Sequence, residues 1–381
     1  MTSSAPGTKA VTPHTFAAGP DAVRTAQGPG PGPGGGRGSA SANARKVAAA
    51  ACRWLALLVA LPAAGCSVLR AVPAEWPVLA VQLVSFTPWL MVPAAVALVL
   101  AFLGGQRWLQ IVAAALLLCQ VFWLFSLDAP RPVAEAAAGA NAGADGAGMV
   151  ELKVMSVNAE FGQADAARIV QLVKDHGIGL LAVQEHSGAL EQRLTAAGLD
   201  TILPHRISDP TDDGAGSAVY STYALEQVGL IPDTPFRMPT VRLTLGQGGP
   251  VSVLEVTNVH ALPPVDDGVE QWRSDLAAVG RLADRPGNRL LLGDFNATYD
   301  HSEFRDLLTA GQGLVDVGTA SGSRLLPTWP MEGPPLPGIA IDHVVTSPQV
   351  GSSGYQVHSV PGTDHAAVLA MLALPLALPA A

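Results

Sequence analysis

A chain of 381 residues is long enough for one large domain and an appendage, and its mean hydropathy of +0.32 is high for a protein wholly in water. Charge is unevenly divided. Residues 1–148 carry nine Lys/Arg and five Asp/Glu, residues 149–381 thirteen and twenty-six, so the C-terminal part is about thirteen charges negative and does not favour long-range attraction to a nucleic-acid backbone. All three cysteines (Cys52, Cys66, Cys119) precede residue 149, which excludes disulfides, thiolate metal sites and a cysteine nucleophile from the C-terminal part.

Residues 1–44 are rich in Ala, Gly, Pro, Ser and Thr without an apolar period, the composition of a disordered tail. Their glycines do not make a nucleotide loop, because no strand precedes them and no Gly-Lys-Ser/Thr follows. Within 45–127 lie three apolar runs, Val47–Leu69, Val78–Leu103 and Trp108–Leu127. Each approaches or exceeds the roughly 20 residues needed to cross a bilayer, so three transmembrane helices are predicted. Trp54, Trp76, Trp108 and Trp123 fall towards their ends, as interfacial residues do. Arg45, Lys46 and Arg53 crowd the start of the first span and Arg107 sits in the second link, while Arg70 is offset by Glu75. The positive-inside rule then places the N-terminus in the cytoplasm of a multi-pass cell-membrane protein. An odd number of crossings carries the C-terminal domain outside. Ala63-Ala64-Gly65-Cys66 resembles a lipoprotein cleavage box. Against it stand Ala63 in place of the usual Leu, the long tail ahead of the charged region and the two further spans.

Residues 128–149 read as a flexible small-residue linker, and 150–381 as a folded domain. Strand-like runs recur at 151–157, 179–184, 216–221, 239–245, 251–259, 289–293, 339–346 and 366–374, with helical periods at 164–175, 187–197, 268–283 and 300–309. In 268–283 the residues Trp272, Leu276, Val279 and Leu282 share a face, and Asp300 with Glu303 forms a capping pair for the last helix. This mixture predicts two sheets with helices packed outside. The final apolar run is too short and too rich in proline for a fourth span, and reads as a buried strand.

The most informative stretch is Arg289–Thr298, RLLLGDFNAT. Three leucines predict a buried strand, Gly293 a sharp turn, and Asp294 and Asn296 polar groups delivered at the strand end. By themselves these could be ordinary turn residues. Other strands end similarly: 152–157 in Asn158, 180–184 in Glu185 and His186, 253–259 in His260, 339–341 in Asp342 and His343. Asp364 and His365 precede the last strand. Each has a bland explanation as a cap, turn or surface group. Together they suggest catalytic groups mounted on a scaffold.

VNAEFG around Asn158, LLAVQEH around Glu185, GSAVYST, TNVHA around His260, GDFNAT, IDHVV and TDHAAV occur in the order found in the endonuclease/exonuclease/phosphatase superfamily. The resemblance spans about residues 150–375 and implies an α/β, four-layer α/β/β/α sandwich of the DNase I-like kind, preceded here by three transmembrane helices. With those helices, and with GDFNATYDHSEFR and PTWP, the chain most resembles actinobacterial membrane proteins of the teicoplanin-resistance-associated type.

Carried over residue by residue, the resemblance implies Glu185 as the main metal ligand, with Asn158 and Asp364 completing an all-oxygen site for Mg²⁺ or Mn²⁺. It implies that Asp294 and Asn296 orient the attacking water and hydrogen-bond the phosphate. His365 would deprotonate the water, Asp342 would fix its tautomer, and His260 would donate to a phosphate oxygen or the leaving group. Val157 stands where the family has Trp, Ser221-Thr222-Tyr223-Ala224 where it has Ser-Arg-Tyr-Pro, and Thr363 where it has Ser. The missing arginine bears on phosphate binding or loop anchoring; none of these changes removes a catalytic group. His14, His176, His205 and His358 lie outside any motif, His186, His301 and His343 are beside motif residues, and Trp329 is a substrate-loop candidate.

The expectation is a membrane-anchored, divalent-metal-dependent phosphodiesterase or phosphatase, acting on a phosphate ester or pyrophosphate of the envelope, lipid-linked substrates included. An extracellular nuclease is the alternative, disfavoured by the lack of a basic stripe interleaved with aromatics. A non-catalytic envelope-sensing module is the second, disfavoured because binding alone does not need an Asp342–His365 pair.

Overall fold

The computed structural model describes residues 36–125, 148–246, 249–333 and 337–377, with side chains from residue 41 onward. Most of the expected tail and of the 128–149 linker lies outside the described residues. The chain divides into two compact units, Met1–Val47 and Ala48–Ala381. The described part of the first is the opening of helix α1 (Gly36–Ala71), which begins inside the segment expected as tail.

Three stretches are long and apolar enough to cross a membrane: Ser41–Ala71, Thr87–Gly104 and Arg107–Leu124. Small residues hold them together. Ala56, Ala60 and Ala63 of α1 pack with Ala94, Ala97 and Ala101, and with Leu109, Ala113 and Leu116. Alanines three or four apart put a smooth stripe on the first two helices and let their backbones approach closely, while the third meets them with Leu109, Ala113 and Leu116. Large apolar groups such as Trp54, Leu58 and Leu61 point outward instead.

The second apolar run, expected as one span over 78–103, is divided. Helix α2 (Val78–Val84) stops, a single 3₁₀ turn covers Thr87–Leu90, and α3 (Met91–Gly104) continues, followed by α4 (Arg107–Leu124). Pro88 explains the break, since it has no N–H to give the carbonyl of Val84 and its ring would crowd that carbonyl. The released α2 packs on the C-terminal domain, where Val81 is buried beside Trp272 and Tyr299 and is flanked by Trp76 and Val78.

That domain contains two six-stranded sheets. The first has the order β11-β12-β1-β2-β4-β3, from β1 (Met149–Asn158), β2 (Leu180–Gln184), β3 (His205–Asp209), β4 (Ser217–Ser221), β11 (Gly351–Ser359) and β12 (Ala366–Pro375). The second has the order β5-β6-β7-β8-β10-β9, from β5 (Glu226–Leu230), β6 (Pro239–Leu245), β7 (Ser252–His260), β8 (Asn288–Asp294), β9 (Val315–Asp316) and β10 (Asp342–Thr346). Only β1/β2 and β7/β8 pair in parallel.

Strand alternation makes the layers. Leu152 and Val154 of β1 join Leu254, Leu290 and Leu292 between the sheets, while Met155 and Val157 face helices α5 (Ala166–His176) and α6 (Gly188–Ala196). Helices α7 (Val269–Gly280) and α8 (Ser302–Thr309) cover the second sheet, and Trp272, Leu276, Val279 and Leu282 form the expected buried face. Helix α5 has its stops written locally: the Asp165 side chain accepts from Arg168 N at 2.9 Å, and Gly177 closes the helix in the left-handed region. The result is the expected α/β/β/α sandwich.

Asp300 departs from expectation. Helix α8 is preceded by His301 and has no side-chain cap. The Asp300 carboxylate is instead fully buried between Arg70 Nε, at 2.7 Å, and Arg324 Nη2, at 2.5 Å. Among the described residues Arg70 thus pairs with Asp300 and not with Glu75, and its guanidinium lies over the Trp123 ring at 4.5 Å. Glu303 receives Arg273 Nε at 3.0 Å.

Candidate active site

Strand pairing brings the sequence-predicted groups to one edge of the sandwich. In β1/β2, Asn158 stands beside Gln184, with Glu185 the next residue. In β7/β8, His260 stands beside Asp294, and antiparallel β10 sets Asp342 on its other side. Parallel pairing presents the C-terminal ends of neighbouring strands together, which is why groups far apart in sequence meet.

Asp294 Oδ2 is the hub. It accepts from Asn158 Nδ2 at 3.1 Å and Asn296 Nδ2 at 3.3 Å, with His365 Nε2 at 3.8 Å and His260 Nε2 at 4.0 Å. Asn158 Nδ2 also donates to Glu185 Oε1 at 3.0 Å, so one amide draws two carboxylates together. His260 Nε2 lies 3.8 Å from the same Glu185 oxygen. His365 Nδ1 is 2.9 Å from Asp342 Oδ2, and its Nε2 is 3.8 Å from Asp364 Oδ1. All eight candidates, Asn158, Glu185, His260, Asp294, Asn296, Asp342, Asp364 and His365, thus belong to one cluster.

The backbone is strained here. Glu185 (φ 53°) and Asn296 (φ 47°) occupy the left-handed region without being glycine. Phe161 N holds Glu185 Oε2 at 2.8 Å, and Asn296 N donates to Asp294 Oδ1 at 2.8 Å, which fixes both carboxylates. Gly293 does not turn the chain, as the sequence suggested; it remains within β8. A Cβ there would stand 2.0 Å from the Val259 carbonyl oxygen and 2.9 Å from Gln184 Nε2, so glycine is required by close approach.

Burial sets the protonation. It pushes Asp294 up to about 7, against the pull of His365. It works against charge on His365 as well, but the carboxylates of Asp342 and then Asp294 outweigh it and hold that imidazole at about 10. His260 is driven down to about 3 by burial and by the charge of His365, so it is neutral, and its buried Nδ1 has no hydrogen-bond partner among the described residues.

The donors fit a hard divalent cation. Glu185 and Asp294 share one amide donor, and Asp364 lines the same cavity; the three offer carboxylate oxygens and no sulfur, though their oxygens are not gathered as closely as those of Asp294, Asp342 and His365. Asn158 turns its NH₂ towards these carboxylates and its oxygen towards Glu160 N at 3.0 Å, so ligation by that oxygen requires the amide to turn over. The tightest gathering of ligand-type atoms is Asp294, Asp342 and His365, within 4.8 Å. Asp342, however, is occupied by His365 Nδ1, which makes that trio better suited to proton transfer.

Several supporting groups went unrecognised in the sequence. Phe236 stacks on His260 at 4.2 Å, and Glu160 Oε2 accepts from Asp364 N at 2.7 Å. Trp329, a candidate from sequence, donates through Nε1 to Asp364 Oδ2 at 2.7 Å. Behind the site, Asn258 Nδ2 donates to Val183 O at 2.9 Å and Ser217 Oγ at 2.6 Å, joining the sheets. Asn258 gave no separate signal, because its strand also carries Ser252, Glu255, Thr257 and His260. His343 and His301 are structural. His343 faces Asp316 Oδ1 at 3.1 Å and the Ala297 carbonyl at 2.8 Å. His301 accepts from Thr298 N at 2.9 Å, and its Nε2 donates to Val81 O at 3.0 Å.

A cavity of about 530 Å³ opens over the cluster, lined by Glu185, His260, Asp294, Asn296, Asp364 and His365. Two packed sheets that deliver carboxylates, amides and two histidines to one edge define the α/β/β/α, DNase I-like class of fold. The model of the Endonuclease/Exonuclease/phosphatase family matches residues 155–365, more than half of the chain, and the protein belongs to that family. Among solved structures, the endonuclease/exonuclease/phosphatase from Bacteroides vulgatus is 18% identical, covering 59% of this chain and 99% of its own, with a TM-score of 0.46. Sphingomyelinase C from Streptomyces griseocarneus is 19% identical over 58% and 99%, with a TM-score of 0.41. A 3′ phosphatase from Neisseria bound to a product DNA hairpin is 19% identical over 57% and 98%, with a TM-score of 0.45. No curated protein matched the chain.

Proposed function

We propose that the protein is a membrane-anchored, divalent-metal-dependent phosphoester hydrolase that cleaves a phosphate ester or pyrophosphate of the cell envelope. The observation that carries this reading is the Asp294 hub, where two carboxylates and two imidazoles meet around one buried oxygen. Glu185, Asp294 and Asp364, with Asn158 after its amide turns, would hold Mg²⁺ or Mn²⁺. Bound there, the cation would polarise the phosphoryl oxygen and offset charge on the departing oxygen.

The chain's own groups do the rest. His365 Nε2 takes the proton of the attacking water, and the Asp342 carboxylate at Nδ1 fixes the ring and stabilises the imidazolium. Holding a proton up to about 10, His365 must begin its task neutral, so the carboxylate charge around it has to be offset before turnover. Neutral His260 donates to a phosphate oxygen. Asn296 and Asp294 orient the water.

The positive residues at one end of the helices support an extracytoplasmic domain. Arg53 Nε donates to Gly104 O at 2.7 Å and Arg107 opens α4, whereas Arg70 and Trp123, at the other ends, touch the catalytic domain. None of the described residues lining the cavity is Lys or Arg, which disfavours a nuclease. The purified full chain, tested with Mg²⁺ on bis-p-nitrophenyl phosphate, plasmid DNA and a lipid pyrophosphate, is expected to favour the lipid substrate over DNA. Asp294→Ala and His365→Ala are each expected to lose about 10²–10⁴-fold in turnover. Undiminished turnover in both variants, or none in the wild type on any substrate, overturns the proposal.

A further inference from the structure

The membrane segment does more than anchor the domain: it builds part of the site. Gln82, Ser85 and Phe86 line the catalytic cavity together with Pro263, Pro264 and Val265. The next residue, Thr87, begins a candidate membrane span. The segment is held in place, with Gln82 Nε2 donating to Pro264 O at 3.3 Å and Trp89 Nε1 to Gly338 O at 3.1 Å. Val81 is tied to His301, as described above.

Resting on the hydrolase reading above, we propose that the substrate is an amphiphile, a phosphate ester whose apolar chain lies between Phe86 and Val265 while its phosphate reaches Asp294 and His365. Three observations converge on this chemistry. The lining combines the site's carboxylates and imidazoles with apolar Phe86, Phe236, Pro263, Pro264 and Val265, and the helical segment adds polar Gln82 and Ser85. The rim leaves apolar surface uncovered, with Phe161 59% and Val265 46% exposed. The lining also adjoins the span, so a chain emerging from a bilayer at Thr87 meets apolar side chains before it meets water. A soluble phosphate ester has no use for such a lining, and a polyanion finds no cationic side chain in it.

The test compares two esters with the same reacting bond, hexadecyl and ethyl p-nitrophenyl phosphate, on the full chain in detergent micelles with Mg²⁺. Phe86→Ser and Val265→Ser chains are measured beside the wild type, so that partitioning of the long ester into micelles is common to all. The expected result is a kcat/KM preference for the long chain that falls at least fivefold in both variants. Binding of hexadecylphosphonate without metal should weaken in parallel. Vesicles of phosphatidylglycerol and vesicles carrying an isoprenyl diphosphate then distinguish a glycerolipid source from an isoprenoid one. If the long-to-short preference is the same in wild type and both variants, the inference is overturned while the hydrolase reading stands. If the wild type cleaves neither ester but turns over a substrate of the panel above, the inference is overturned alone; if it turns over none of them, the hydrolase reading fails and takes this inference with it.

Discussion

Asp294 and Gly293 show how much one strand end decides. The carboxylate was legible because a polar residue follows three leucines. The role of the glycine was not, since the reason for it is a carbonyl on a neighbouring strand. Gly293→Ala is expected to destabilise the protein by about 3 kcal/mol through overpacking, read as a lowered denaturation midpoint. His343 and Asp316 make a second residue-scale case. Burial disfavours the His343 cation, yet the Asp316 carboxylate outweighs it and raises the imidazole above its ordinary value; Asp316, despite burial, is lowered by that cation. The His343 contribution is therefore complete below its unfolded pKa, near 6.5, and is lost as pH rises through the raised folded value. The Asp316 contribution is complete above about 3.9 and is lost as pH falls through the depressed value. Stability owed to the pair should thus be greatest between about pH 4 and 6.5. His343→Gln, by removing one partner of a buried pair, should cost about 3–5 kcal/mol and flatten the decline above pH 6.5 in a stability-versus-pH series.

At the scale of elements, every interior strand of both sheets was readable and every edge strand was missed. The strands β3, β5, β9 and β11 are the four edges. An edge strand is exposed or short, so it needs no apolar alternation: β5 is almost wholly exposed, and β9 is two residues long. The convergence of the site was legible only as an ordered set of strand ends, because register, which performs the convergence, leaves no mark on local sequence. Helix α2 was absorbed into a membrane span because it is apolar but for Gln82; one face, Ala80, Val81 and Val84, is buried, while Leu79 and Leu83 are exposed. The seat of the end of helix α1 is testable through Asp300, whose carboxylate is shared by Arg70 and Arg324. Asp300→Ala is expected to cost about 3–5 kcal/mol, measured as faster thermal inactivation of the detergent-solubilised full chain. A surface-like effect of under 1 kcal/mol would contradict the buried geometry.

For the whole molecule, the cation is the test of how parts act together. Mg²⁺ should raise the melting temperature of the wild type with the logarithm of its free concentration above Kd and should do so far less in Glu185→Ala, a readout independent of turnover. Chelation should abolish hydrolysis, and Mg²⁺ or Mn²⁺ should restore it. Arg70 and Asp300 carry a different consequence. They lie 230 positions apart, so the earliest long helix ends in a guanidinium that reaches across most of the chain to a buried carboxylate. Its final turn therefore takes its observed seat only once the segment carrying Asp300 has folded, which ties the placement of the first helix to completion of a segment far along the chain.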